Sequence, residues 1–235
     1  MRLVSKSDLS KNQILAALPG RETKRLFPNL RAVSFGSRDV LFKAGDAIDY
    51  IYFPLNAVVS PLVLMHDGRS AAVSLVGNEG LVGLPSAILG MKTAPWHAIV
   101  QIPGDFLKIK AAAVQAEFRR CDVLHDRVLR YTRFLLAEIS QTAACNSLHV
   151  LEERLARWLL MIHSRVGKDE FPITHELLSD MLGVSRSEVT RVAGSFRKTK
   201  LIKYSHGKVA VLDRARLESM ACECYDIAKI VKIVS

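Results

Sequence analysis

The chain has 235 residues, 49% of them apolar and 24% charged, a globular mixture with enough apolar mass for one large or two small cores and no compositional mark of disorder. Its formal net charge is +10, and a basic surface gains free energy by releasing counterions from a polyanion, so nucleic acid and anionic lipid head the classes of partner. No uncharged apolar run is long enough to span a membrane, the start MRLVSKSDLSKNQ lacks the apolar core of a secretory signal, and four unevenly spaced cysteines (Cys121, Cys145, Cys222, Cys224) suit reduced thiols better than a disulfide framework; a cytoplasmic protein with no membrane partner is expected.

Asn12 to Phe27 reads as a short helical segment ending near Pro28. From Arg31 to about Lys110 the pattern is short β-rich runs: Val33 and Phe35, Val40 to Phe42, Tyr50 to Phe53, Val58 to Met65, and Ala71 to Val76. Between them stand turn signals, Lys43-Ala44-Gly45-Asp46, Leu55-Asn56-Ala57, His66-Asp67-Gly68 and Gly77-Asn78-Glu79-Gly80. This spacing predicts an antiparallel sandwich or roll rather than alternating strands and helices. From Ala111 to Val166 the period becomes helical. Leu124, Val128, Tyr131 and Leu135 form a seam that Glu138 interrupts, long enough to pair with a second copy, although a helix packed on its own sheet would show the same stripe. A second helix carries Leu151, Leu155, Trp158, Leu159 and Ile162 on one side, with Glu152, Glu153, Arg154 and Arg157 elsewhere, and ends at Gly167-Lys168.

The stretch THELLSDMLGVSRSEVTRVAGSFRKTKLI, from Thr174, is the most informative. Thr174 caps a first helix, Gly183 gives the backbone freedom for a sharp turn, and Ser179 is small where two helices cross. Ser185 caps a second helix with Glu188 three residues on, a capping box, and Val184, Val189, Val192 and Phe196 form its buried side. Its outward side carries Arg186, Ser187, Thr190 and Arg191. In a helix-turn-helix, first-turn side chains enter the major groove, where an arginine can bond guanine O6 and N7 together. Leu201 to Tyr204, Ser205-His206-Gly207 and Lys208 to Leu212 read as a two-stranded hairpin, a wing beside the helix pair. Arg186, Arg191, Arg197, Lys198, Lys200, Lys203 and Lys208 face Glu188 alone between Val184 and Val211. Ser185, Lys198, Lys203, His206 and Lys208 therefore join the four outward residues as the candidate contact set for double-stranded DNA.

With DYIYFPLNAVVS (Asp49 to Ser60), DGRSAAVSLVGNEGLVG (Asp67 to Gly83), ERLARWLLM (Glu153 to Met161), LGVSRSEVTR and LIKYSHGKVAVLDRARLE (Leu201 to Glu218) in view, the chain resembles the Crp/Fnr family of bacterial transcription regulators over nearly its whole length. The resemblance implies an α+β protein: an N-terminal antiparallel, jelly-roll-like β-roll of the cyclic-nucleotide-binding kind over 1–120, a long central dimerisation helix over 121–148, and a C-terminal winged helix-turn-helix over 149–235. It further implies a homodimer on an inverted-repeat site, with RNA polymerase as a further partner. Arg186 and Arg191 match arginines that contact bases or phosphates in the family, whereas Ser187 stands where a base-reading glutamate often sits. Cyclic-AMP-binding relatives hold the ribose with a glutamate after a glycine and the phosphate with an arginine followed by Ser or Thr. Here Leu84 follows Gly83, and Met91 to Ala98 contains no arginine, Lys92 being a flexible point charge instead. Ser140 falls roughly where relatives place a base-contacting hydroxyl. Gly83, Leu84 and Ser140 thus mark a possible effector pocket, with no cyclic-nucleotide cofactor expected.

Other chemistries find less support. The first cysteine, Cys121, lies far from the N-terminal thiolates that an oxygen-sensing iron–sulfur branch needs. Cys222-Glu223-Cys224 could bind a metal with Glu223 or a histidine, but two thiols so spaced read as an incidental terminal-helix pair, and no metal ligands are assigned. His97 beside Trp96 reads as a surface residue. Gly77-Asn78-Glu79-Gly80 lacks a phosphate-loop lysine and no nucleophile, base and orienting acid share a catalytic spacing, so an enzyme is not expected. The competing reading is a small-molecule or protein-interaction sensor whose winged helix serves assembly.

Overall fold

Turn residues cut the apolar stretch between Arg31 and Lys110 into seven strands: β1 (Arg31–Phe35), β2 (Val40–Phe42), β3 (Tyr50–Pro54), β4 (Val58–Leu64), β5 (Ser70–Ala72), β6 (His97–Ile102) and β7 (Gly104–Lys110). In the computed structural model, which describes residues 3–229, they form two antiparallel sheets, ordered β1-β7-β3 and β2-β6-β4-β5, that enclose the core of a roll. The run Ala71 to Val76 forms a strand only as far as Ala72, and Val76 bridges Val59 as an isolated pair. Where the strand ends, Glu138 Oε1 accepts hydrogen bonds from Ser74 Oγ at 2.6 Å and Leu75 N at 2.9 Å, so Leu75 N bonds a carboxylate of α6 rather than a neighbouring strand.

Before the roll, the single helical segment expected over Asn12–Phe27 is divided at Pro19 into α2 (Gln13–Ala16) and α3 (Gly20–Leu26), preceded by α1 (Lys6–Leu9) and followed by a 3₁₀ turn (Phe27–Asn29). The division matters because α3 delivers Glu22 to the start of the long helix α6 (Val123–Leu148). Its buried carboxylate accepts Val123 N at 3.1 Å and Leu124 N at 2.8 Å, satisfying free backbone donors and placing negative charge at the positive end of the helix. Between them in sequence, α4 (Leu84–Leu89) and α5 (Ala111–Phe118) pack together beside the roll.

The stripe of α6 expected to meet a second copy turns the other way. Leu124, Val128, Tyr131 and Leu135 are at most 5% exposed within one chain and belong to the core of its own roll. Periodicity identifies a buried face without saying what buries it, and here the roll does. The side of α6 left to solvent carries Leu129, Arg133, Leu136, Ala137, Ser140, Ala143, Ala144 and Ser147.

After an elbow at His149-Val150 the chain continues as α7 (Leu151–Val166), β8 (Glu170–Pro172), α8 (His175–Leu182), α9 (Arg186–Lys198), β9 (Ile202–Ser205), β10 (Lys208–Val211), α10 (Arg214–Met220) and α11 (Cys224–Lys229). The wing has three strands, ordered β8-β10-β9, rather than two. β8 is a three-residue strand with only Phe171 buried, too short to show alternation. α7 also departs from its expected polar face, since Arg157 is fully buried. The core around α7 includes Val58, Ala72, Leu75 and Ile102 of the roll. On the rim of that contact, Arg38 pairs with Asp180 at 3.3 Å and Glu176 at 3.7 Å of α8, and Ser70 Oγ donates to Asp180 O at 3.2 Å.

A buried ion cluster joins the three parts. Arg165 of α7 donates from Nε to Glu79 Oε1 of the roll at 2.8 Å and from Nη2 to Glu138 Oε2 of α6 at 2.7 Å, and also to Leu75 O at 3.1 Å. All three charged side chains are 5% exposed or less. The two carboxylates hold the Arg165 guanidinium charged despite its burial. Breaking a buried pair strands the remaining charge, which costs about 3–5 kcal/mol. Arg165→Met should therefore lower the stability of the full chain by that amount, read as a fall in the urea midpoint at neutral pH, while Glu138→Gln, which leaves Arg165 with Glu79, should cost less.

Candidate nucleic-acid interface

Local sequence builds the helix pair as anticipated. Thr174 Oγ1 caps α8 by accepting Leu177 N at 3.1 Å, and Gly183 turns the chain at φ 66, a left-handed conformation that suits glycine. At α9 the reciprocal cap is complete: Ser185 Oγ accepts from Glu188 N at 3.3 Å and Glu188 Oε2 accepts from Ser185 N at 2.9 Å. The Ser185 hydroxyl and backbone N–H hold the Glu188 carboxyl below the usual carboxylate range. Val189, Val192, Ala193 and Phe196 are buried, which fixes the rotation of α9 and leaves Arg186, Ser187, Thr190, Arg191 and Lys198 exposed.

These outward side chains differ in readiness. Arg186, in the first turn, has no ion pair among the described residues and projects from the end where a recognition helix meets base edges. Ser187 Oγ lies 2.9 Å from Ser185 Oγ. Thr190 Oγ1 donates to Arg186 O at 2.8 Å and lies 2.9 Å from His175 Nδ1, so its hydroxyl is held within the protein. Arg191 Nη1 pairs with Glu152 Oε1 of α7 at 3.1 Å. His175 itself stacks on Tyr204 of the wing, ring centroids 4.1 Å apart. Burial, then the charges of Arg186 and Arg197, push His175 below the usual histidine range. Sequence reading passed over this histidine because the partners that define it lie on two other elements.

The wing turns at His206-Gly207, with φ of 49 and 75 and Ser205 opposite Lys208, the two-residue loop with both central residues left-handed that fits the twist of a hairpin. Lys203, His206 and Lys208 are exposed on it, and Lys208 Nζ pairs with Glu170 of β8 at 3.1 Å. Exposed pairs of this kind are weak, so they exchange readily for a phosphate. Arg186 and Arg191 are thus exposed in the first two turns of α9, Lys198 at its far end, and Lys203, His206 and Lys208 on the wing.

The three residues of the possible effector pocket lie in different surroundings. Gly83 starts α4 at φ 99, where any side chain would strain the backbone and meet Ile51. Leu84 is 8% exposed and belongs to the roll core, whereas Ser140 is exposed on α6 and donates to its own helix at Leu136 O, 2.9 Å away. Tyr131 presses its ring on Gly80, where a methyl group would overlap it, and helps fill the roll on the α6 side. Lys92 instead lines an open cleft of about 580 Å³ with Asp49, Tyr50, Lys110 and Gln115. No helix among the described residues is long and apolar enough to cross a membrane.

Comparison with known proteins agrees with this architecture. The profile of the cyclic nucleotide-binding domain matches residues 32–121, and that of the Crp-like helix-turn-helix domain matches residues 153–220. The global nitrogen regulator of a Nostoc species is 22% identical over 186 residues, which cover 76% of this chain and 83% of the relative. Among solved structures, a CRP-family transcriptional regulator from Thermus thermophilus superposes with a TM-score of 0.68 at 22% identity, covering 80% of this chain and 96% of that one. The c-di-GMP-responsive global regulator CLP of Xanthomonas campestris superposes with a TM-score of 0.68 at 14% identity, covering 83% and 100%. With both signature domains in this order on either side of a long helix, and a capped recognition helix in the second, the chain belongs to the Crp/Fnr family of transcription regulators.

Proposed function

We propose that the protein is a homodimeric, sequence-specific DNA-binding regulator that reads an inverted repeat and is not controlled by cyclic AMP through the pocket used by cyclic-AMP-binding relatives. The observation that carries this reading is the first turn of α9, where Arg186 and Ser187 project from a helix end fixed by a complete capping box. Arg186 is assigned to base edges, with Ser187 beside it. Arg191, Lys198, Lys203, His206 and Lys208 are assigned to the phosphate backbone, where each charge adds affinity but no sequence information. Ser185 and Thr190 act mainly by holding the helix and its neighbour His175 in place.

Two recognition helices must be about 34 Å apart to enter successive major grooves, and a twofold dimer reads an inverted repeat. The face of α6 centred on Leu136, which is 60% exposed, with Ala137, Ser140, Ala143 and Ala144, supplies the close-packing surface for a second α6. RNA polymerase is the further partner that the family resemblance implies. Independence from cyclic AMP is supported by Leu84 lying in the core where a ribose-binding glutamate would be needed, and by the absence of arginine between Met91 and Ala98.

Fluorescence anisotropy on duplex DNA from the protein's own upstream region, beside a scrambled duplex at matched salt, tests this directly. The native duplex should bind tightly without nucleotide, and cyclic AMP should change nothing; binding that requires cyclic AMP would refute the reading of Leu84. Arg186→Ala should cost about 1–3 kcal/mol of specific binding, whereas Lys203→Ala should weaken all duplexes alike and reduce the salt slope by about 1. Leu136→Asp should convert the dimer to a folded monomer in sedimentation velocity. His175 should titrate by NMR below the free-histidine value of about 6.5. Its neutral form is the one favoured by folding, so its contribution to stability is complete above that value and declines as pH falls through it toward the folded-state midpoint.

A further inference from the structure

The thiols read as incidental in sequence have company in space. Cys145 sits in the last turn of α6, His149 at the elbow before α7, Cys222 just before α11 and Cys224 at its first position. One ligand atom from each lies within 4.8 Å of all the others. Cys145 Sγ and Cys222 Sγ are 3.5 Å apart, as are Cys224 Sγ and His149 Nδ1. A tetrahedral ion with arms of about 2.3 Å to sulfur sets its donors about 3.8 Å apart, so the cluster needs only small adjustments to close on one metal. The three thiols are buried, the condition of a closed structural site rather than a catalytic one.

The surroundings fit the same assignment. Glu223 Oε2 lies 3.4 Å from His149 Nε2, the side of the ring away from the sulfurs, where a carboxylate directs the Nδ1 lone pair inward. Gln141 Nε2 donates to Cys224 Sγ at 3.0 Å, a further polar contact to the cluster. Arg157 is fully buried and hydrogen-bonds Thr142 Oγ1 at 3.0 Å, yet its Nε and Nη1 have no hydrogen-bond partner and it has no ion pair among the described residues. It lies within electrostatic reach of Cys145 Sγ. A dication with three thiolates and a neutral histidine carries one net negative charge, the compensation Arg157 otherwise lacks.

We propose that Cys145, His149, Cys222 and Cys224 bind a single soft divalent cation, Zn²⁺, which clasps the C-terminal helix α11 to the elbow between α6 and α7. Glu223 is a positioning residue for His149. A lone ion is favoured over a cluster of several irons because the four donors converge on one point rather than spreading over two or more metal centres.

The test uses the full-length chain, purified under reductant without a histidine tag or chelator. Elemental analysis should find about one zinc per protomer. After chelation, Co²⁺ should restore the site and show the thiolate charge-transfer and strong visible bands of a tetrahedral cobalt centre, in the wild type and equally in Cys121→Ser, whose thiol lies outside the cluster. Cys222→Ser should lose them. Glu223→Gln, a change at an exposed side chain, should keep the fold by circular dichroism and weaken Co²⁺ binding about 10- to 100-fold. Wild-type protein with neither zinc nor a cobalt spectrum, iron in place of zinc, or a Cys145–Cys222 disulfide found by mass spectrometry would each overturn the proposal.

Discussion

Two carboxylates and one guanidinium, sealed from water, decide how this chain is put together. Apolar contacts between the roll, α6 and α7 are non-directional, and such surfaces tolerate sliding. Arg165 tolerates far less, because its planar fork must meet Glu79 and Glu138 together or leave a charge stranded at low dielectric. Glu138 in turn holds Ser74 and Leu75, so the segment leading from β5 toward α4 is registered to the same point on α6. Tyr131, buried alongside, has its phenol pushed well above the usual range by burial and then by Glu79 and Glu138, and remains a neutral spacer against Gly80. Through Arg165 the position of α7, and with it the helix pair it carries, is referred to the roll.

The interface end is built for rigidity of a different kind. α9 is held by its cap and its apolar side, and the wing is joined to α8 by the stacking of His175 on Tyr204. Thr190 and Arg191 already have partners within the protein, Thr190 at His175 and Arg191 at Glu152, and the exposed Arg191 pair is of the weak kind that can exchange for another anion.

How much of this was legible follows from the range over which each signal acts. Turn chemistry, the capping box at Ser185 and Glu188, and the His206-Gly207 hairpin act over a few residues, and these parts of the fold read directly from sequence. The side to which α6 turns Leu124, Val128, Tyr131 and Leu135 did not, because a stripe that buries against a roll and one that buries against a copy share the same period. Glu138 read as an interruption and Arg157 as lying off the apolar side of its helix, since burial of a charge depends on partners 27 residues away for Glu138 and on an unusual enclosure for Arg157. The gathering of Cys145 and His149 with Cys222 and Cys224 spans 77 residues between Cys145 and Cys222, a distance at which spacing carries no information.

The sharing of one apolar cluster by α7, the helix pair and four residues of the roll carries a thermodynamic consequence. Val58, Ala72, Leu75 and Ile102 belong by chain position to the roll and by packing to the half that carries the helix pair. Separation of the halves would wet apolar surface on both sides at once. The elbow at His149-Val150 is therefore a boundary along the chain but not a boundary of cooperativity: heat or denaturant meets one melting unit, and whatever loosens the roll draws on the same reserve of stability that keeps the recognition helix folded.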